Sequence, residues 1–578
     1  MSLFKRHPWL EHLLVLAYFA LLTVLFTYPL VLNLGTSLLG KPGDNVYGVW
    51  LIHWYDKVFF GGNWHPFFNP WMNYPDGWNL STTETYLAIA LPGVLVSHLW
   101  NSIAGYNAAC LLTFVLSGYF MYLWVRYVSG SSAAALIAGT IFAFIPWRMA
   151  QFRAGHPNLI GTQWFPLYFW ALYELLDLEK RKAWLWAVLA AVSLGLIGLT
   201  SMYFLYFTLI ISAVYLLCLI LFSTWRKLLS PKFWGRMALF AVLAAPLIFL
   251  ALKPYLGVSS TGGLASRSVT YAAMYSASPT DFILPATDHF LFGVWVMQHF
   301  DRSLWIEGTF YIGAAALALG IVAIVFRKKL HLPALVDASL IVAVVAFILA
   351  LGIDLHWNNR EVIVQVPQFL QSLLHKTTTP LYLPAYWLFN HLPFYDKMRA
   401  LERIGIFTLV FTSFLAGLGA AWLLKDKKQN IRLLLTGLLI AVVLFEFYPG
   451  PFTNELTKIE PRPVDLWLGQ QPGSGAVVQM PFSESSDQYV IYCTMFQNKP
   501  FVGGFFNANQ PPQFLAIDPV LQNFPDQASV GLLQTLKVAY VVVDSSQYSD
   551  YAAVDQEIQS LGLQLLTDQE GQYVYGWK

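Results

Sequence analysis

Charge is what this sequence has least of. Asp, Glu, Lys and Arg together make up 11% of its 578 residues, against about a quarter in ordinary soluble domains, which argues against a water-bathed globular enzyme. No charge of one sign dominates either: 34 Lys and Arg face 32 Asp and Glu, a formal balance of +2. There is no broad basic field to gather phosphate backbones, so no nucleic-acid partner is expected. Cysteine is scarce, and Cys110, Cys218 and Cys493 lie far apart. Neither a disulfide framework nor a zinc site is suggested.

What fills the space is apolar: 57% of residues are hydrophobic and 16% aromatic. A helix needs about 20 apolar residues to cross the hydrocarbon core, because lipid offers no partner to a backbone amide. Stretches near 12–32, 107–127, 132–147, 158–178, 184–201, 203–222, 237–252, 308–326, 335–353, 404–424 and 432–448 qualify. The fold class is therefore a polytopic α-helical membrane protein with about 11 transmembrane helices. The first span follows Lys5 and Arg6, lacks a convincing small-residue cleavage site, and reads as a retained anchor.

Basic residues orient the spans. Lys180, Arg181 and Lys182; Arg226, Lys227, Lys232 and Arg236; Arg327, Lys328 and Lys329; and Lys425, Lys427, Lys428 and Arg432 all belong on the cytoplasmic side under the positive-inside rule. Residues 84–101 (ETYLAIALPGVLVSHLWN) are apolar but short and carry Glu84, Pro92 and His98. Counting them as a span would turn all four clusters outward, so they are placed on or partly in the outer leaflet; the alternative is an ordinary kinked span. The N-terminus is then cytoplasmic, and residues 33–106, 148–157, 253–307, 354–403 and everything after about 449 lie outside. Two domains are expected: 1–448 in the membrane, with the outer loop 33–106, and 449–578 as a soluble extracytoplasmic domain. The latter carries −8 and the remainder +10. Within it GAVVQMPF, AYVVVDS and YVYGW read as strands and SVGLLQTLKV as a helix, the pattern of a small α/β domain. It has no Gly-rich phosphate loop and no G-x-S-x-G elbow. It either caps the outer face or binds acceptor.

Candidate chemistry sits in the outer segments. In the first loop Pro42 and Gly43 make a turn, and Asp44 and Asn45 follow where a helix begins. Asp44 is either a cap or a carboxylate, partly desolvated by Tyr47, Trp50 and Trp54, that accepts a proton from an attacking hydroxyl. Trp64, Phe67, Phe68, Trp71, Tyr74 and Trp78 fit an interfacial belt and also offer flat faces to sugar rings. The short segment WRMAQFRAGHPN places Arg148, Arg153 and His156 outside, where cations are unusual. The guanidinium fork suits a phosphate, the alternative being lipid headgroups. His156 reads as a turn residue first, then as a base or metal ligand. In FYDKMRALERIGIF, Arg399 and Arg403 would share a helix side, and Asp396 or Glu402 would neutralise them if the pattern is not a phosphate clamp. Asp281, Asp288 and His289 could approach a substrate or a divalent cation, although their spacing is not diagnostic.

The stretches PGDNVYGVW, NPWMNYPDGWNL, FAFIPWRMAQFRAGHPN, MRALERIGIF and LLQTLKVAYVVVDSS together resemble the GT-C superfamily of integral membrane glycosyltransferases, and within it the large bacterial YfhO-type proteins. The resemblance covers most of the chain. It implies an enzyme of the bacterial cytoplasmic membrane that moves a sugar from a polyprenyl-phosphate donor to a glycan, lipid or protein acceptor outside, with inversion. On that reading Asp44 is the general base, and Arg148, Arg153, Arg399 and Arg403 hold the lipid-linked phosphate. Asn45, Trp50, Tyr74, His156, Asp281, Asp288 and His289 line the cleft. No cofactor is certain; a divalent cation is left open, although WRMAQFRAGHPN lacks the acids that metal-dependent relatives carry in their second outer loop. A transporter or flippase of lipid-linked saccharides is the competing reading, against which the nearly charge-free span centres stand. A non-catalytic membrane scaffold is the third. The sidedness has a direct check: a cysteine introduced after residue 449 should react with an impermeant reagent added to intact cells, and protection would contradict the arrangement.

Overall fold

The computed structural model describes residues 8–62, 65–83, 85–180, 182–223, 225–260, 266–304, 306–482, 488–506 and 510–577. Lys5, Arg6, Trp64, Glu84 and Arg181 lie outside the described residues. Among those described, 9 helices are long and apolar enough to cross a membrane. Two further spans expected near 158–178 and 308–326 form helices of 12 residues, Trp164–Leu175 and Ala314–Val325, each about 18 Å long at 1.5 Å per residue. Residues 84–101 form Leu87–Leu99, 13 residues, too short to cross a hydrocarbon core of about 30 Å.

The chain divides into two compact units. The first comprises Met1–Leu32, Cys110–Leu252 and Ala265–Asn454 and is helical. At its centre lies Ile406–Leu424, packed by Ala314–Val325, Pro333–Ala350 and Ser132–Phe144. Small residues allow this: a Cβ on Gly419 would stand 1.8 Å from the Leu319 carbonyl oxygen, so the backbones touch there. Helices Pro231–Ser260 and Gln429–Phe447 are peripheral and expose Val242, Phe249, Leu433, Leu434 and Leu438. Leucine-rich faces of this kind are at home in lipid.

The second unit comprises Asn33–Ala109, Lys253–Leu264 and Glu455–Lys578. The sequence reading drew its boundary at 449 and grouped 33–106 with the membrane domain; here that loop folds with the C-terminal segment. A five-stranded sheet runs Phe501–Val502, Ala476–Met480, Val538–Asp544, Gln572–Trp577, Leu563–Gln569. The first three strands are parallel and the others antiparallel. The expected helix is Gln527–Thr535, opened by an Asp526–Ser529 capping box.

An edge strand leaves a row of backbone groups unpaired, and here the first loop covers it. Phe501 N–H donates to the Trp71 carbonyl at 2.7 Å, Tyr74 N–H to Phe501 at 3.0 Å, and Asn73 N–H to Gly503 at 2.8 Å. Ser37–Leu39 pairs antiparallel with Leu456–Lys458. Between these seams, Tyr47, Trp50 and Trp78 stack into a core shared with Phe505 and Phe506. Trp50 and Trp78 are buried, which removes Trp78 from the interfacial belt the sequence suggested, whereas Phe68 and Trp71 stay exposed.

Gly419→Ala should lower stability by about 2 kcal/mol through overpacking, read as a fall in Tm of the detergent-solubilised protein. Gly437→Ala, with open space around its Cβ position, should leave Tm unchanged or raise it slightly.

Candidate functional site

The site in the first unit begins at a break in the helices. Helix Ser132–Phe144 stops at Ile145, Pro146 starts a new turn through Arg153, and His156 is the N-cap of Pro157–Ile160. Helix ends leave carbonyls without partners, and inside a membrane protein water does not replace them. Arg148 meets that need: Nη1 donates to Ala143 O at 2.5 Å, and Nη2 to Ile160 O at 2.9 Å and Thr113 Oγ1 at 3.1 Å. The guanidinium lies 4.2 Å from the Phe114 ring centre, and the side chain is 0% exposed. The phosphate-binding role read for Arg148 is therefore corrected: its Nη groups are taken by backbone carbonyls and Thr113 inside the protein.

Arg153 donates to Asp288 Oδ2 at 2.6 Å. Gln151 continues inward: its Oε1 accepts from His156 Nδ1 at 2.6 Å, and its Nε2 reaches Ile306 O at 3.1 Å and Glu307 Oε2 at 3.3 Å. Glu307 in turn holds Arg403, whose Nε donates to both carboxylate oxygens at 3.2 Å and whose Nη2 donates to Oε1. Burial works to raise the Glu307 pKa, but the charge and hydrogen bonds of Arg403 outweigh it and hold the carboxyl below its usual range. The neutraliser of Arg403 is thus Glu307, not Asp396 or the neighbouring Glu402. Asp396 pairs with Lys397, and neither oxygen of buried Glu402 has a hydrogen-bond partner among the described residues.

Arg399 does not share a helix face with Arg403, because Leu401–Gly405 is a 3-10 turn that begins after it. Its backbone N–H donates to Tyr203 OH at 3.0 Å, and its guanidinium lies 5.3 Å from the Tyr275 ring centre. Arg403 sits 5.0 Å over Tyr203. The Tyr275 ring touches Tyr271, centres 5.8 Å apart, and Arg267 lies 5.7 Å from Tyr271. Both Arg267 and Arg399 are half-buried, and among the described residues neither has a carboxylate in ion-pair range. Among the described residues the buried Nε of Arg267 has no acceptor. Two guanidinium groups over two touching tyrosine rings are donors of the kind that can bind an anion such as phosphate.

Asp281 and His289 are corrected from cleft residues to structural ones. Asp281 is buried, pairs with Arg302 and accepts Ser278 N–H at 2.8 Å. His289 Nδ1 accepts from Leu291 and Phe292 N–H, each at 3.1 Å, and its Nε2 meets Phe445 O at 2.9 Å. With Asp288 held by Arg153, these three residues do not converge. Among the described residues no three His, Cys, Asp or Glu stand together as metal ligands.

In the second unit, Asp44 opens helix Asp44–Phe60, whose N-cap is Gly43 without a side-chain capping bond. Asn45 ties off the turn: Oδ1 accepts from Gly43 and Val46 N–H at 2.9 Å, while Nδ2 donates to Leu39 O and Lys41 O at 3.1 Å. Asn45 is buried and so structural. Half-buried Asp44 accepts Gln488 Nε2 at 3.0 Å on Oδ1. Trp50 is packed in the core with Nε1 on Thr494 Oγ1 at 3.2 Å, and Tyr74 is held in the seam at the sheet edge; neither role is that of a cleft wall.

The structure therefore brings together His156, Arg403 and Arg399 in the first unit, through Gln151, Glu307 and Tyr203. Glu307, Arg267 and Gln488 were missed. An Arg followed by tyrosines at +4 and +8, as Arg267 is by Tyr271 and Tyr275, was the available signal for one of them; nothing local marks the others.

This fold is found among solved membrane glycosyltransferases. ArnT from Cupriavidus metallidurans in the apo state superposes with a TM-score of 0.51 at 12% identity, over 99% of this chain and 98% of that one. Arabinofuranosyltransferase AftD from Mycobacteria gives 0.50 at 14% identity, over 98% of this chain and 41% of AftD. The archaeal oligosaccharyltransferase AglB from Archaeoglobus fulgidus gives 0.49 at 14%, over 100% of this chain and 75% of AglB. The chain is thus an integral, multi-pass membrane protein with the GT-C fold and a C-terminal α/β segment. Residues 14–378 match the family described as Domain of unknown function (DUF6311), and the chain belongs to that family. No curated protein sequence matches it.

Glu307→Gln should destabilise the protein by about 3 kcal/mol by leaving Arg403 buried and unpaired, read as a lowered Tm in detergent. The pH sign follows from the depressed carboxyl. The ionised Glu307 contributes stability above the ordinary carboxylate range and loses it as pH falls through the folded-state value. The difference between wild type and variant should narrow with acidification.

Proposed function

We propose that the protein transfers a sugar from a polyprenyl-phosphate-linked donor to an extracytoplasmic acceptor, with inversion at the anomeric carbon. The observation that carries this reading is the pair Arg267 and Arg399, half-buried over Tyr271 and Tyr275 and without a carboxylate partner among the described residues. The shared fold with a named arabinofuranosyltransferase supports it. In the reaction an acceptor hydroxyl attacks the anomeric carbon from the face opposite the phosphate. Asp44, in the second unit, is assigned the role of general base on the resemblance alone and not on any geometry shared with these arginines. Arg267 and Arg399 bind the phosphate and stabilise the negative charge that grows on it as the glycosidic bond breaks. Arg403 and Arg153 are each paired with an acid, Glu307 and Asp288, and we assign them to holding the framework of the site, with His156 lining the cleft. The four basic clusters support a cytoplasmic N-terminus and an outer C-terminal segment, and the resemblance to bacterial proteins supports the bacterial cytoplasmic membrane as host.

The test is reconstituted protein assayed against a panel of polyprenyl-phosphate sugars. With the donor that turns over, Arg399→Ala and Arg267→Ala should each lower kcat/KM by about 100-fold, the effect of removing one donor from a developing anion. Asp44→Asn should abolish turnover. Wild-type rates in both arginine variants would refute the phosphate site, and a wild-type rate in Asp44→Asn would remove that residue from the chemistry.

A further inference from the structure

The hydrogen bond from Gln488 to Asp44 belongs to a larger register. Gln488 Nε2 donates to Asp44 Oδ1 at 3.0 Å, and Trp50 Nε1 donates to Thr494 Oγ1 at 3.2 Å. From the first contact to the second, each chain advances by six residues in the same direction. Helices Asp44–Phe60 and Gln488–Gln497 therefore run parallel with their N-termini together. A helix N-terminus carries unpaired N–H groups and the positive end of the macrodipole, so a carboxylate at this doubled end is favoured in its charged form. Gln488 adds a neutral donor that does not titrate and cannot compete for the proton.

We infer that Gln488 is a positioning residue of the transfer reaction: the C-terminal α/β segment supplies an amide that donates to the Asp44 carboxylate and orients it. This rests on the proposal that Asp44 is the general base. It gives the C-terminal segment a part in the chemistry instead of a covering role. The donor stands on a helix whose next inward contact, Thr494 with Trp50, is locked in an aromatic core. The amide is thus carried on a helix anchored six residues further along, as suits a positioning group.

The experiment compares Gln488→Leu, Gln488→Glu, Thr494→Val and Asp44→Asn in the full-length reconstituted protein, each checked for Tm. Gln488→Leu should lower kcat about tenfold with KM within about twofold, and should move the acidic limb of the kcat/KM profile upward by about one pH unit, because a donor to the charged form is lost. Gln488→Glu places a like charge beside Asp44 and should move that limb further in the same direction. Thr494→Val removes the companion bond without touching Asp44 and should leave kcat and the limb in place. An inactive Asp44→Asn with an unshifted Gln488→Leu profile would overturn the inference and spare the proposed base. The same profile change in Thr494→Val would also overturn it, by assigning the effect to helix packing. Full activity in Asp44→Asn would instead remove the base reading on which it stands.

Discussion

A backbone carbonyl that ends a helix inside an apolar body must find a donor, and this requirement organises the first unit. Arg148 is buried to supply Ala143 and Ile160 at the break between Phe144 and Pro157. Having spent one guanidinium on the backbone, the fold balances the next two with carboxylates: Arg153 with Asp288, and Arg403 with Glu307. Desolvation makes an unpaired interior charge costly, so pairing is the rule there. Against that rule Arg267 and Arg399 stand out, because tyrosine rings and not acids receive them. A half-buried cation with no acid in ion-pair range among the described residues retains its capacity to hold an incoming anion.

The second unit obeys a different constraint. The parallel side of the mixed sheet ends in an edge at Phe501–Val502, and the loop 33–109 is rich in aromatic side chains. The two join: residues 71–74 pair along the edge, and Tyr47, Trp50 and Trp78 find Phe505 and Phe506. Segments more than 400 positions apart thereby become one body. The carboxyl of Asp44 is held by a helix from the far end of the chain as a consequence of that union.

The sequence was most informative where one-dimensional physics suffices. Apolar runs located the long helices, and the short apolar stretch at 84–101, expected on or partly in the outer leaflet, forms a helix of 13 residues. The strands at 476–480, 538–544 and 572–577 followed from alternation and β-branching. Single residues were harder. Arg148 and Arg153 look equivalent in WRMAQFRAGHPN, yet one is sealed against carbonyls and the other meets an acid from residue 288. Arg399 and Arg403 look like helical neighbours, yet a 3-10 turn separates them. Asp281 and His289 resemble ligands and serve as caps of their own loops.

Composition and hydropathy thus determined by themselves that this chain is a many-helix membrane protein with an appended α/β segment, because lipid tolerates no unpaired backbone and that demand is written in every run of residues. Which charges are neutralised, which tryptophans are core, and what touches Asp44 were decided only by tertiary structure. Glu307, Asp288 and Gln488 reach their partners across 96, 135 and 444 positions, and the energy of a charge depends on what surrounds it in space, not on what adjoins it in sequence.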